Sequence, residues 1–414
     1  MTLPKNVVLS LSVQAKELFF VQYGKNKCWD FLIPFYNHQK NNSDALALAL
    51  EAAALAHLWH QVDSSTALIE ARKRYGVALR LMRNLLEISE EQRKDTTIFT
   101  VLLLDVFEKV TDPGFQKKRE NASHVEGALG LVKVRGFEEF ADDNKVKILI
   151  RLYHHCVAAS LATGAVESEG LRLLRFHLLK CLGRGNSGII LSGILVEYSD
   201  LRKKFADGEL GSEEFVEELT GLESRLHLLE INLPKVARYT TRTLLSPTER
   251  VYGMAYHQYV NRTLCQGRNL LRVTRIDLNV KLAQYYFLTA EADEGANTYG
   301  SRIEALVHDV LASVPLYTDC TGSLTQSTIS AACTRHQHLP RHQSDCYLLL
   351  FPLFAAGKAT TNPNVKHWVL RELRYMQTHF SVRMADVVAN LLEHGKDIGI
   401  WDVHSMLGCY SFNV

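Results

Sequence analysis

Residues 96–110 read TTIFTVLLLDVFEKV, a run whose apolar residues fall on every side of a helix rather than along one stripe. A helix apolar all round belongs inside a protein, covered by other helices. Asp95 stands before it as a cap, and Pro113-Gly114 follows as a stop. Upstream, residues 45–61 read ALALALEAAALAHLWHQ, an alanine- and leucine-rich stretch of strong helix formers with Ser43 or Asp44 placed to cap it. A second helix is predicted over 67–87, ALIEARKRYGVALRLMRNLLE. Downstream, Ser246-Pro247-Thr248-Glu249 has the form of a capping box with proline at the first helical position. It predicts a long helix through VYGMAYHQYVNRTLCQGRNLL. Asn362-Pro363 plays the same part before VKHWVLRELRYMQTHF. Convincing strand alternation is scarce, and no repeat shows at solenoid spacing. No linker rich in Pro, Gly and Ser divides the chain; the nearest breaks are the turn Asp207 to Ser212 and the loop Thr318 to Ser327. The expectation is an all-α chain forming a single large multi-helix domain over residues 1–414.

With 414 residues and 47% hydrophobic content, the chain can bury a sizeable core. Its formal net charge of +2 gives no global field to attract nucleic acid or membrane. The short clusters Lys117-Lys118-Arg119 and Arg202-Lys203-Lys204 are too small for sequence-blind DNA affinity and read as solvated helix ends. The eight cysteines are scattered, none in a C-x2-C pair, which argues against a disulfide framework and favours a reducing compartment. No apolar run reaches membrane-spanning length and no signal peptide is expected, so the chain is read as soluble and intracellular.

Several constellations could carry chemistry. Gly183 to Gly188 fits G-x-G-x-x-G, but a helical pattern precedes it where the dinucleotide fingerprint needs a strand. It reads as a helix–helix loop. Cys333, His336, His338, His342 and Cys346 are dense in zinc-type ligands but match no finger spacing, so a histidine-rich loop is expected. Asp105 and Glu108 lie one turn apart on the most apolar helix, where a carboxylate needs a partner or a metal. An ion pair or interhelical hydrogen bond is the leading reading, and an Mg²⁺ site with oxygen ligands the other. Arg268, Arg272, Arg275 and Lys281, with Lys235, Arg238 and Arg242, either form a solvated basic face or line a pocket for an anion such as a diphosphate. His154-His155, in an apolar helix, reads as core histidine.

Patches in one order along nearly the whole chain resemble the regulatory region of fungal binuclear zinc-cluster transcription factors. They are ELFFVQY and CWDFLIPFY near the N-terminus, then Ala71-Arg72 with Tyr75, Ala78 and Leu79. Asp95-x-Thr97 leading to LLLDVFE follows, then His124-x-x-Gly127-Ala128 and Arg135-Gly136. The C-terminal part adds Ser313-Val314-Pro315, YLLLFPLFAAG and HWVLRELRYM. The resemblance implies an all-helical domain, nuclear localisation, response to an effector and control of a secondary-metabolite gene cluster. In that family DNA is gripped by a separate module in which six cysteines hold two zincs. This chain offers no such cysteines. The resemblance therefore implies a regulator without autonomous DNA binding, acting through a protein partner such as a complete zinc-cluster factor. A small apolar or anionic effector would be its signal, with no cofactor and no membrane.

The alternative is a cytoplasmic enzyme on a similar scaffold, a Mg²⁺-dependent sesquiterpene cyclase resembling the non-standard fungal humulene synthases. Metal and cations would stabilise the departing diphosphate of farnesyl diphosphate, and apolar walls would fold the carbocation. Asp105 and Glu108 would hold the metal, and Lys281 and Arg275 would contact the diphosphate. The usual motifs are incomplete: Asp142-Asp143 is followed by Asn144-Lys145-Val146, and Asn297, Ser301 and Glu304 only approach the second acidic motif.

Overall fold

The computed structural model describes residues 10–20, 32, 44–111, 123–164, 166–288, 292–318, 340–394 and 398–407. Over these residues the chain is all-α apart from one two-stranded hairpin. It packs as two compact units, Met1–Leu152 and Tyr153–Val414.

In the first unit, α1 (Leu11–Phe19), α2 (Ala45–Val62), α3 (Ser65–Leu86), α4 (Ser89–Gln92), α5 (Asp95–Thr111) and α6 (Ser123–Arg135) follow one another, and α7 (Asp143–Thr163) begins there. The helix α2 packs on α1, α3 and α5. Its alanines allow this close approach: Ala49, Ala52, Ala54 and Ala56 have no exposed surface. Of its two proposed caps, Ser43 lies outside the described residues, and Asp44 holds the cap position. The chain turns at Asp63, whose φ of 54° is left-handed, and Ser64 caps α3 by accepting from the Ala67 N–H at 3.2 Å. One acid on α2, Glu51, accepts from Lys16 of α1 at 3.0 Å and Arg74 of α3 at 2.7 Å, which neutralises it between the helices.

As its sequence predicts, α5 is buried on all sides, from Thr97 without a break to Phe107. Asp95 is its first residue rather than a cap, and its carboxylate accepts from Arg135 at 2.5 Å.

The second unit takes the rest of α7, then α8 (Glu169–Leu182), α9 (Ser187–Ala206) and α10 (Ser212–Ile231). The hairpin β1 (Thr240–Thr243) and β2 (Ala255–Gln258) is antiparallel, with Thr240 opposite Gln258. Then come α11 (Arg262–Leu288), α12 (Ala292–Ser313), α13 (Pro315–Thr318), α14 (Pro340–Ala359), α15 (Pro363–Phe380), α16 (Arg383–Glu393) and α17 (Ile400–Met406). The long α11 is the spine, packed against α10, α12 and α14. On it, buried Asp277 accepts from the Tyr198 hydroxyl of α9 at 2.6 Å and the Trp401 indole N–H of α17 at 2.8 Å.

The loop Gly183 to Asn186 joins two helices as expected: Gly183 ends α8 at a φ of 91°, and Asn186 caps α9 by accepting from Ile189 N–H at 3.1 Å. Asn362 likewise caps α15, with Pro363 as its first residue. His154 and His155 are buried on α7.

The capping box is the correction. Ser246 to Glu249 lie in irregular chain, β2 occupies 255–258, and α11 starts only at Arg262. Tertiary contacts override the local signal. Val251 and Tyr256 bury themselves with Leu244 in a small core of their own. The Glu249 carbonyl, which a helix would use internally, accepts instead from Trp368 Nε1 at 3.2 Å and from Arg371 at 2.6 Å. Gly253 turns the chain into β2 at a φ of 73°. Among the described residues, no helix is long and apolar enough to cross a membrane.

Candidate ligand site

Helices α3, α5 and α6 of the first unit, with Gln92 of α4, border a half-open cavity of about 800 Å³. That volume lies within the range of small-molecule sites. Helical periodicity explains which residues reach it. From α3 and its C-cap come Gly76, Leu79, Arg80, Arg83, Leu86 and Glu87, spaced by three and four residues along one stripe. Val101 and Leu104 come from α5, one turn apart, and His124, Gly127, Gly130, Leu131 and Val134 from α6. Met82, Val101, Leu104 and Leu131 are buried and make an apolar floor. Arg80 and Arg83 are exposed at its edge.

Glycines keep the space open. A Cβ added at Gly127 or Gly130 would meet nothing within 4 Å, so neither glycine is required by a neighbouring helix. Each nonetheless weakens its helix by about 0.5–1 kcal/mol relative to alanine. At Gly76 an added Cβ would lie 3.9 Å from the Arg80 guanidinium, which rests against the bare backbone there.

A polar network adjoins His124. The Tyr75 hydroxyl donates to Glu108 Oε1, and His124 Nε2 donates to the same oxygen at 3.0 Å. The Tyr75 ring stacks on Phe107 with centroids 4.3 Å apart. Burial works against a charged His124, but the bond to Glu108 and its charge outweigh that and raise the imidazole above its ordinary pKa. Burial first, and Glu108 second, push the Tyr75 phenol upward, so it remains a donor.

These contacts place the sequence-derived candidates. Asp105 accepts from Lys109 at 2.7 Å, a buried pair one turn apart on α5, and Glu108 is shared by Tyr75 and His124. Asp105 and Glu108 thus belong to the first unit, each with its own protein partner. Arg275 and Lys281 belong to the second. Arg275 grips Glu223 with Nε at 3.0 Å and Nη2 at 2.6 Å, and its Nη1 donates to Glu230. Arg268 lies 3.4 Å from Glu230, while Arg272, with no exposed surface, donates to Asn269 at 3.0 Å and the Asp309 carbonyl at 3.1 Å. Burial, then Arg272 and Arg268, push neighbouring His257 down to about 3. Arg268, Arg272 and Arg275 of α11 are therefore paired with internal acids and amides. Lys281 is half-buried farther along α11, and none of the described ion pairs includes it. Lys235, Arg238 and Arg242 are exposed.

Glu304 accepts from Thr360 Oγ1 and Thr361 N–H, both at 2.9 Å, and so secures the chain entering α15. Lys117 to Arg119, Cys333, His336 and His338 lie outside the described residues, as does the side chain of His342. Among the described residues, no group of three or more His, Cys, Asp or Glu side chains could hold a metal ion.

Sequence reasoning missed Arg80 and Arg83 as site residues. The usable signal was three glycines, Gly76, Gly127 and Gly130, inside helices that no turn explains. Compared with known protein families, curated proteins and solved structures, the chain returns no match.

Proposed function

We propose that this chain is a transcription-factor-like regulatory protein that binds a small, largely apolar effector in the cavity between α3, α5 and α6. The observation that carries this reading is a cavity with an apolar floor, bordered by helix glycines whose Cβ positions are empty. In this reading the regulator works on a gene cluster in the nucleus through a partner that carries a zinc-cluster module. The ordered resemblance to fungal zinc-cluster factors supports that second half.

The cavity half is tested by filling it. Gly127→Ala should raise stability by about 0.5–1 kcal/mol, because alanine is the better helix former and has room here. Gly130→Phe should place a ring over the floor and reduce binding of the apolar fluorophore anilinonaphthalene sulfonate by about tenfold or more, a loss of about 1.4 kcal/mol. Urea unfolding and fluorescence titration measure the two. An unchanged titration in a folded Gly130→Phe protein would remove the cavity as the effector site. The partner half is tested by affinity capture and transcript profiling of a deletion strain: no transcriptional partner and unchanged transcripts would count against it.

A further inference from the structure

Resting on the effector reading above, we infer that the ligand of this cavity is an organic acid with an apolar body, its carboxylate received by Arg80 and Arg83. The cations of α3 are used in two different ways. Lys73 donates to Glu70 at 2.8 Å, and Arg74 donates to Glu70 at 2.9 Å and Glu51 at 2.7 Å, so both of these cations are answered by acids. Six and nine residues after Arg74, Arg80 and Arg83 border the cavity, and among the described contacts neither has an ion-pair or hydrogen-bond partner. Glu87 stands one turn after Arg83 and could have closed an i, i+4 pair with it, yet no such pair forms. Against one lining acid there are two guanidiniums and the imidazole of His124.

Shape and charge then select the ligand class. Each guanidinium offers a planar fork of donors suited to a carboxylate. The floor behind them, Met82, Val101, Leu104 and Leu131, has no hydrogen-bonding side chain and suits a hydrocarbon. A neutral hydrocarbon would leave the fork unanswered, and a compact inorganic anion would leave the floor empty. A single-headed apolar acid satisfies both. Because the arginines are exposed, the attraction between head group and fork is screened by salt, whereas burial of the chain is not.

Calorimetry with dodecanoate and dodecan-1-ol, on the full chain and on the double variant Arg80→Gln with Arg83→Gln, tests this. Glutamine is a good helix former, so the exposed positions should keep α3 intact, and circular dichroism checks it. The expected result is that the wild-type chain binds the acid about tenfold or more tighter than the alcohol. The double variant should lose that margin while binding the alcohol as before, and added salt should shrink the margin in the wild type only. Equal binding of acid and alcohol by the wild type would overturn the carboxylate inference while leaving the cavity reading in place. Binding of neither, together with an unaltered fluorophore titration in Gly130→Phe, would overturn both.

Discussion

Replacing Arg275 with methionine should lower the unfolding free energy by about 3–5 kcal/mol, the cost of removing one partner from a buried ion network. The site explains the size. Arg275, 8% exposed, holds Glu223 through two nitrogens and Glu230 through a third, and those carboxylates are themselves only 5% and 10% exposed. Methionine fills a similar volume but leaves two carboxylates with Arg268 as the remaining cation, at 3.4 Å from Glu230. The register shows that the network was built as a unit. Arg268 and Arg275 lie seven residues apart on α11, Glu223 and Glu230 seven apart on α10, and the crossed pairing is that of antiparallel helices. Adding Glu223→Gln to Arg275→Met should therefore recover part of the loss, and a double-mutant cycle by urea unfolding would read the coupling. A folded Arg275→Met protein of unchanged stability would sink the ion-network role and return Arg275 to the diphosphate-contact reading, which incubation with farnesyl diphosphate and Mg²⁺ would then test directly.

The second large effect is on pH dependence. Glu372 of α15 has no exposed surface, and its carboxylate lies 3.2 Å from the Arg250 guanidinium, which stacks 3.7 Å over the Tyr375 ring. Arg371 and Glu249 are the other charges facing it. Burial dominates over the attraction of Arg250 and Arg371, and raises the acid from its usual 4.5 to about 7. A raised acid binds a proton in the folded chain that it releases on unfolding. Its stabilising contribution is thus complete below about pH 4.5 and is lost as pH rises through 7. The full swing is about 3 kcal/mol at most. Glu372→Gln cannot titrate and keeps the volume, so the fall in stability between pH 5 and pH 8 should be about 2–3 kcal/mol smaller in the variant. Identical slopes in urea unfolding at the two pH values would refute the assignment.

How far the residues alone could be read depends on how local the deciding forces are. The core helices α2 and α5 were legible because composition and periodicity dictate them, and α15 because Asn362-Pro363 marks its start. The hairpin was not. Ser246 to Glu249 carry every local mark of a helix start, and contacts with Trp368 and Arg371, more than a hundred residues away, together with the small core of Leu244, Val251 and Tyr256, divert the chain. The acids of α5 were half legible. That Asp105 needed a partner follows from its apolar surroundings, and Lys109 stands one turn on; that Glu108 would be met by Tyr75 and His124 is a tertiary fact. Arg80 and Arg83 look like any solvated basic face along α3, since nothing in their spacing shows that α5 and α6 leave a space beside them.

The bond between Trp401 and Asp277 gives the second unit an optical reporter of its own. The indole N–H faces a buried carboxylate at 2.8 Å, and the ring lies 5.4 Å from Phe351 and 5.8 Å from His404, centroid to centroid. When that unit opens, the N–H exchanges carboxylate for water and the ring leaves its aromatic surroundings, so the emission moves to the red. The opening of the helices around α11 can therefore be timed by fluorescence in the unlabelled protein, with Asp277→Asn marking the contribution of Trp401.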